Sequence, residues 1–197
     1  MGASKFGLDM VKTLVEQQLD FELIGYLEDD GPYLDYEKHK LVYLGKVRNW
    51  TPGMEDHFLL AIEIIALRVR LVEHLSGLGA KFFSYIHPTS IVGDYVTLGE
   101  GIYIGPFCYL GDYCHIGSFS ILKSRILIRK FVSLGLFSLL DNQVVIGEGV
   151  TLGDGNILGK GTWLKSANTS FDENFPNASR YSTTNFSKEL FNWFRLN

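Results

Sequence analysis

The hydrophobic positions of this chain repeat every six residues from Ile86 to Thr169. A medium-sized aliphatic residue, the anchor of each hexad, returns fourteen times without a change of phase: Ile86, Val92, Leu98, Ile104, Leu110, Ile116, Leu122, Ile128, Leu134, Leu140, Ile146, Leu152, Leu158 and Leu164. Glycine follows most of these anchors, and the position four after the anchor is usually small or β-branched. A period of six fits neither an amphipathic helix nor a simple alternating strand and is typical of a solenoid.

The repeat predicts a triangular coil with three short strands per turn of eighteen residues. We expect the anchor to point inward at the corner, the glycine beside it to make the bend, and the small residue to fill the interior. Residues eighteen apart then stack in columns about 4.8 Å apart. A β-sandwich with even turns is disfavoured because it places strands every 8 to 12 residues.

Residues 1–82 have a different pattern, which predicts a small α/β domain with a parallel sheet. A helical pattern follows the turn at Gly2, Ala3 and Ser4, a strand is predicted over 21–27, and a second apolar run, 57–65, precedes a helix that stops at Gly77. The opening turn suits a phosphate, since free N–H groups point at the anion, but a tight turn without a ligand fits equally well. The strand that normally leads into such a turn is missing. Either the true start lies upstream of Met1 or the domain has lost a central strand.

After Thr169 the period stops, and an amphipathic helix is predicted from about Ser187 with Leu190, Phe191 and Phe194 on one side. The open end of a solenoid exposes unpaired backbone and apolar interior, so the tail is interpreted as a cap. The predicted domains are therefore 1–82, 83–169 and 170–197.

Composition narrows the class of protein further. The 197 residues carry a net charge of −4, with 46% hydrophobic and 20% charged residues, which gives no general attraction to nucleic acid or an anionic membrane. No apolar run is long enough for membrane insertion and no signal peptide opens the chain, so a cytoplasmic location is expected. Cys108 and Cys114 fall on interior positions of different faces and are predicted to be core residues, with neither a disulfide nor a metal site.

The chain resembles the hexapeptide-repeat sialic acid O-acetyltransferases and bacillosamine-type UDP-amino-sugar N-acetyltransferases. The resemblance covers about residues 1–168 and rests on the opening turn and helix, the strand that ends in residues 25–30, the residues Ile86 to Thr89, and the hexads. It implies a left-handed parallel β-helix and a homotrimer with active sites between subunits. It also implies acetyl-CoA along the β-helix and a nucleotide sugar on the N-terminal domain, with Gly2, Ala3, Ser4, Asp29 and Asp30 as substrate-binding residues.

The chain departs from the family at the residues that carry the chemistry. Ser124 stands where the family has its general base, a histidine, and Lys123 and Arg125 replace neighbouring acids. A second family histidine, which contacts acetyl-CoA, falls on Ser133, and a glycine of the cofactor site falls on Asn142. The nearest further candidates for contact with the cofactor are Trp163 and Lys165.

Removal of a proton from a hydroxyl acceptor needs a base matched to neutral pH, which an unassisted serine is not. His115 is a candidate substitute because it lies eighteen residues before Ser133 and therefore one coil away in the same column. A sugar amine can instead attack a thioester as the free base, so that positioning and stabilisation of the oxyanion suffice. O-acetylation is therefore disfavoured and N-acetylation is retained.

Two further features have alternative interpretations. The cations at 123, 125, 129 and 130 have two interpretations. They form a basic patch that binds CoA phosphates or a substrate carboxylate, or they form ordinary ion pairs within a column, such as Lys123 with Asp141. Outward apolar residues at 127, 136, 137 and 139 suggest faces that neighbouring subunits cover.

Two functions remain after the sequence is read in full. One is an acetyl-CoA-dependent N-acetyltransferase that acts on a nucleotide-linked amino sugar, without the usual histidine, in surface polysaccharide or glycan synthesis. The other is a catalytically inactive trimeric homologue that serves as a binding or partner subunit.

Overall fold

The computed structural model describes residues 5–17, 22–32 and 41–166. The chain divides into two compact units, Met1–Lys81 and Phe82–Asn197. The predicted phosphate turn at Gly2, Ala3 and Ser4 and the predicted C-terminal capping helix lie outside the described residues. Within the described ranges, neither helix is long and apolar enough to cross a membrane.

The described residues of the first unit contain short strands and two α-helices. In chain order they are α1 (Lys5–Val15), β1 (Tyr26–Leu27), β2 (Tyr43–Gly45), a 3₁₀ turn (Val47–Asn49), β3 (His57–Phe58), α2 (Ile65–Gly77) and β4 (Lys81–Phe82). The small parallel sheet predicted here is present, because β1 pairs with β2 in parallel. Helix α2 ends at the predicted glycine. The apolar run 57–65 forms a strand only at its first two residues, and residues 59–64 lead into α2 without regular structure.

The second unit is a parallel β-helix of fourteen two-residue strands within residues 82–166. They are β5 (Tyr85–Ile86), β6 (Ile91–Val92), β7 (Thr97–Leu98), β8 (Tyr103–Ile104), β9 (Tyr109–Leu110), β10 (His115–Ile116), β11 (Ile121–Leu122), β12 (Leu127–Ile128), β13 (Ser133–Leu134), β14 (Leu139–Leu140), β15 (Val145–Ile146), β16 (Thr151–Leu152), β17 (Ile157–Leu158) and β18 (Trp163–Leu164).

The strands form three sheets. Sheet A contains β5, β8, β11, β14 and β17, sheet B contains β6, β9, β12, β15 and β18, and sheet C contains β7, β10, β13 and β16. Every pair in these sheets is parallel and joins residues eighteen apart, as between His115 and Ser133. The predicted coil length and columns are therefore confirmed.

The prediction for the bend was wrong in one respect. From Val92 onward, the left-handed residue that turns the corner lies three positions after the anchor, as at Phe131, where φ is +60°, and not at the glycine directly after it. The glycines from Gly93 to Gly147 that follow an anchor instead serve close packing between coils: a Cβ on Gly105 would lie 2.3 Å from the carbonyl oxygen of Lys123. The six-residue period could not distinguish a bend from a close approach, because both favour glycine.

The interior is filled as the repeat predicts over most of its length. The anchors from Ile104 to Leu158 are buried, and Cys108 and Cys114 are buried free thiols that donate hydrogen bonds to backbone carbonyls. Burial raises the pKa of both thiols. The first anchors, Ile86 and Val92, are instead exposed.

The outward apolar residues differ from the sequence-based expectation. Leu139 is already buried within the single chain, and Phe137 stacks on Phe119 with ring centroids 5.1 Å apart. Only Leu127 and Leu136 remain exposed. Burial of Leu139 therefore needs no neighbouring subunit.

Candidate functional site

The residue at the family's base position, Ser124, lies in the corner that joins sheet A to sheet B. We call this the polar corner; it comprises residues 87–89, 105–107, 123–125 and 141–143. Ser124 Oγ donates a hydrogen bond to Oδ1 of Asn142 over 2.6 Å, and the Ser124 N–H donates to the same oxygen over 3.1 Å. The two sequence candidates Ser124 and Asn142 are thus brought together by one coil step.

A second pair of bonds ties the same two coils together. The Asp141 carboxylate accepts from Lys123 Nζ at 3.1 Å and from the backbone N–H of Asn142 at 2.7 Å. The Ser124 hydroxyl proton is directed at a neutral amide oxygen, and an amide does not take a proton near neutral pH. Ser124 is therefore held as a hydrogen-bond donor, and its hydroxyl is not activated.

The predicted basic patch is smaller than the sequence suggests. Lys123 pairs with Asp141, and Lys130 pairs with Asp112 at 2.6 Å. The hydrogen bond between Lys130 and Asp112 lowers the pKa of the carboxyl group and raises the pKa of the amine. Both pairs are column neighbours eighteen residues apart, so the alternative of ordinary ion pairs is correct for these two lysines.

The two arginines of the predicted patch differ from the lysines. The guanidinium carbon of Arg125 lies 5.9 Å from the centre of the Phe107 ring, one coil earlier in its column. Arg129 is exposed and has no ion-pair partner among the residues that the structure describes. Any basic surface on this part of the β-helix therefore rests mainly on Arg125 and Arg129.

His115 and Ser133 lie together on the outer face of sheet C, where they are partners in the ladder between β10 and β13. His115 is exposed and Ser133 is half-buried. Ser133 follows Ser124 by nine residues, half of an eighteen-residue coil, so the two serines lie on opposite sides of the triangle. Within one chain, His115 cannot act as a base at the Ser124 corner.

Trp163 and Lys165 form a third group, in sheet B. The Trp163 ring is 43% exposed, and Lys165 Nζ lies 5.3 Å from its centroid. Trp163 is in the column of Leu127 and Val145, in the sheet that begins directly after the polar corner. The pair therefore lies on the same side of the coil as Ser124, about two coil steps or 10 Å further along.

Asp29 and Asp30 lie in the first unit, directly after β1. The Asp29 carboxylate accepts a hydrogen bond from the backbone N–H of Arg48 at 3.2 Å, and the Asp30 N–H lies 3.5 Å from a carboxylate oxygen of Glu28. Asp29 thus already has a structural role in holding the chain after β2.

His87, which opens the first coil of the polar corner and was expected to be structural, is buried, and its Nδ1 accepts a hydrogen bond from the N–H of Thr89. The feature of this corner that the sequence did not predict is the bond between Ser124 and Asn142. The spacing of eighteen could have revealed it, because the same argument correctly paired Lys123 with Asp141.

Among residues 5–17, 22–32 and 41–166, no group of three or more His, Cys, Asp or Glu residues is arranged to hold a metal ion.

Comparison with known proteins supports the hexapeptide repeat and the fold. Residues 89–124 match the family described as bacterial transferase hexapeptide, six repeats. A comparison with curated protein sequences finds no match.

Three solved structures with a similar chain illustrate the likeness. A histidine-to-asparagine variant of perosamine N-acetyltransferase from Caulobacter crescentus, in complex with CoA and GDP-perosamine, is 21% identical, over 73% of this chain and 79% of that one, with a TM-score of 0.52. PerB from Caulobacter crescentus, with the same two ligands, is 25% identical over 56% of each chain, with a TM-score of 0.41. WeeI from Acinetobacter baumannii AYE is 20% identical, over 84% of this chain and 87% of its own, with a TM-score of 0.47.

The likeness to the perosamine N-acetyltransferase confirms the predicted fold class, a left-handed parallel β-helix after a small α/β region. The resemblance stated from the sequence is confirmed at the level of the repeat and the fold. This chain spans 56% of the length of PerB.

Proposed function

We propose that the protein is an acetyl-CoA-dependent acyltransferase that N-acetylates a nucleotide-linked amino sugar, without a histidine base, in surface polysaccharide or glycan synthesis. The observation that carries the proposal is the exposed Trp163 ring with the Lys165 ammonium group beside it, in the sheet that follows the polar corner. An aromatic face suits the adenine of CoA, and a cation next to it suits the phosphates. The CoA and GDP-perosamine in the perosamine N-acetyltransferase structure support the same two ligand classes.

The polar corner supports an amine as the acceptor. The hydroxyl of Ser124 donates to Asn142, and Lys123 is paired with Asp141. A hydroxyl acceptor needs a group that removes its proton during attack, whereas an amine attacks as the free base. Such a corner therefore favours N-acetylation over O-acetylation.

The arrangement of the candidate residues supports a homotrimer. Ser124 and Asn142 lie at a corner, while His115 and Ser133 lie on the opposite face of the same coil. Both groups can contact one ligand only if the polar corner of one copy meets sheet C of another. Asp29 and Asp30, together with Gly2, Ala3 and Ser4, are proposed to bind the nucleotide sugar.

Calorimetric titration with acetyl-CoA tests the donor site. We expect micromolar binding that Trp163→Ala weakens about tenfold or more, in line with roughly 1 to 3 kcal/mol for stacking of a base on an aromatic ring. The matched control is Ile157→Ala, which truncates another exposed hydrophobic residue, in sheet A, and should leave binding unchanged. Absence of binding at millimolar acetyl-CoA would contradict the proposal.

A panel of UDP-, dTDP- and GDP-linked amino sugars, each paired with its hydroxyl analogue, tests the acceptor. Acetylation of at least one amine and of no hydroxyl analogue is expected. Transfer to a hydroxyl analogue at a comparable rate would show that the chain has a base that these residues do not include.

The alternative is a catalytically inactive trimeric homologue that acts as a binding or partner subunit. The observation that favours it is the closed set of hydrogen bonds between the coils of Ser124 and Asn142, which takes up the backbone donors of the corner. Binding of acetyl-CoA without transfer to any acceptor, or a trimer that binds neither ligand, would favour this alternative.

A further inference from the structure

The hydrogen bonds of the polar corner fix which way the side-chain amide of Asn142 faces. Both groups of Ser124 that approach Oδ1 are donors: a backbone N–H at 3.1 Å, which can only donate, and a hydroxyl at 2.6 Å. If the amide nitrogen of Asn142 lay there, its NH₂ group would face the N–H and the hydroxyl of Ser124, and no acceptor would be present. The oxygen must therefore face Ser124. The amide nitrogen, Nδ2, is consequently turned away from the coil of Ser124.

The backbone donors of the corner are already used. The N–H of Asn142 donates to Asp141, the N–H of Arg125 to the carbonyl of Pro106, and the N–H of Gln143 to the carbonyl of Ser124. Within the part of the chain that the structure describes, Nδ2 of Asn142 has no hydrogen-bond partner. The half-buried Asn142 amide is therefore a neutral donor that is both available and fixed in orientation, whereas the neighbouring amide of Gln143 is exposed.

We propose that Asn142 is a catalytic residue whose Nδ2 donates a hydrogen bond to the carbonyl oxygen of the acyl group, and that Ser124 is the positioning residue that holds the amide in this orientation. This inference rests on the proposed function. The amine nitrogen of the sugar forms a bond to the acyl carbon, the carbon–sulfur bond breaks, and the proton that nitrogen loses goes to the departing sulfur. No oxidant, metal or base enters this balance. The protein is required to stabilise the negative charge that grows on the carbonyl oxygen, and a fixed amide donor does this.

The arrangement also explains how Ser124 contributes without being a base. A flexible asparagine would have to lose its rotational freedom during the reaction. The two hydrogen bonds from Ser124 already fix the side chain in the folded protein, so no rotational freedom is lost during the reaction. The Lys123–Asp141 pair adds rigidity at the same step, since Asp141 also holds the backbone of Asn142.

The substitution Asn142→Asp tests the donor directly. A carboxylate accepts the same two bonds from Ser124 but has no N–H to offer. We expect kcat to fall about 100- to 1000-fold, as for removal of one oxyanion donor, with KM for acetyl-CoA changed less than about threefold. The matched control is Gln143→Glu, the same amide-to-carboxylate change at the adjacent, exposed residue, for which we expect less than a threefold effect on kcat.

A spectroscopic readout separates this inference from the proposed function. Binding of acetyl-CoA labelled at the carbonyl carbon should lower the C=O stretching frequency in the unmodified protein and in Gln143→Glu. The shift should be absent in Asn142→Asp and in Asn142→Ala, the second of which adds no charge. Ser124→Ala retains the bond from its backbone N–H, so it should keep part of the shift and lose about tenfold in kcat.

Three results would contradict the inference, and they differ in what they imply. If acetyl-CoA fails to bind at all, both the proposed function and the role of Asn142 fall. If it binds and is transferred, but the carbonyl frequency is the same in Asn142→Asp as in the unmodified protein, only the role of Asn142 falls. If Asn142→Asp and Gln143→Glu lower kcat equally, the effect is one of charge alone and Asn142 is not the donor.

Discussion

Two corners of the β-helix have the same backbone and different chemistry. The polar corner joins sheet A to sheet B; the aromatic corner, residues 93–95, 111–113, 129–131 and 147–149, joins sheet B to sheet C. The left-handed residue has φ of +56° at Arg125 in the first and +60° at Phe131 in the second. In both corners its N–H donates to a carbonyl of the preceding coil. The backbone repeat therefore accepts either kind of side chain.

The side chains hold the coils together by different means. In the aromatic corner, Tyr95 and Tyr113 stack with centroids 4.9 Å apart, and Tyr113 and Phe131 stack at 5.3 Å. Each corner also has one lysine–aspartate pair eighteen residues apart, Lys130 with Asp112 in the aromatic corner and Lys123 with Asp141 in the polar corner. The polar corner adds the hydrogen bonds from Ser124 to Asn142 in place of the stacked rings. A left-handed conformation costs an L-residue about 1 to 2 kcal/mol, which ring stacking offsets directly. The aromatic corner is thus stabilised mainly by ring stacking, and the polar corner by hydrogen bonds between side chains.

The largest effect is expected where a side chain would enter the backbone of the next coil. Gly105→Ala should lower the free energy of unfolding by about 3 kcal/mol, because the new Cβ would meet the Lys123 carbonyl. Gly161→Ala, one coil after Gln143 in the same column, at φ +71° and with no described atom within 4 Å of the new Cβ, should lower it by about 1 kcal/mol. If chemical denaturation gives the same loss of unfolding free energy for Gly105→Ala and Gly161→Ala, close packing against Lys123 is not the reason for glycine at position 105.

The aromatic corner should respond next most strongly. Tyr113→Ala removes the middle ring and two stacking contacts, so a loss of about 2 kcal/mol is expected. Tyr113→Gly removes the same ring but relieves the left-handed strain, and should lose about 1 kcal/mol less. If Tyr113→Gly is no more stable than Tyr113→Ala in thermal or chemical unfolding, ring stacking does not compensate for backbone strain at this position.

A smaller effect is expected in the polar corner. Ser124→Ala should lower the free energy of unfolding by about 1 kcal/mol, because Asn142 keeps only one of its two bonds. The control Lys123→Ala breaks the partly exposed pair with Asp141, and should cost about 0 to 1 kcal/mol, less at high salt. If the stability lost in Ser124→Ala depends on salt, the interaction between Ser124 and Asn142 is not simply a hydrogen bond between neutral groups.

The smallest effect concerns pH at the first coil of the polar corner. Burial lowers the pKa of His87 below its usual value, and its Nδ1 accepts from the N–H of Thr89. Below about pH 6.5 the unfolded chain then binds more protons than the folded one, so this contribution to stability is complete above that pH and declines as pH falls. Denaturation at pH 7.5, 6.5 and 5.5 should show a shallower decline for His87→Asn, which cannot titrate. If stability declines equally with falling pH in the unmodified protein and in His87→Asn, His87 is not the cause of the decline.

Much of the site's geometry followed from one number, the coil length of eighteen. It predicts His115 beside Ser133 and Lys123 beside Asp141, because the column of a residue depends only on its position in the repeat. The same number did not reveal that the bend lies three residues after the anchor. The position of the bend depends on backbone φ, which a hydrophobic period does not contain.

The sequence by itself determined the solenoid, its phase and the buried anchors from Ile104 to Leu158, because stacking coils of eighteen residues bring apolar residues that repeat every six into one common interior. Only the tertiary structure decided what the polar residues do. Ser124 and Asn142 are unremarkable as a serine and an asparagine eighteen positions apart. The Asn142 amide is oriented because one N–H and one O–H group of Ser124 both donate to its Oδ1 across a coil step. Hydrogen-bond direction is a property of three-dimensional arrangement, whereas burial of an apolar stripe is already written in the order of the residues.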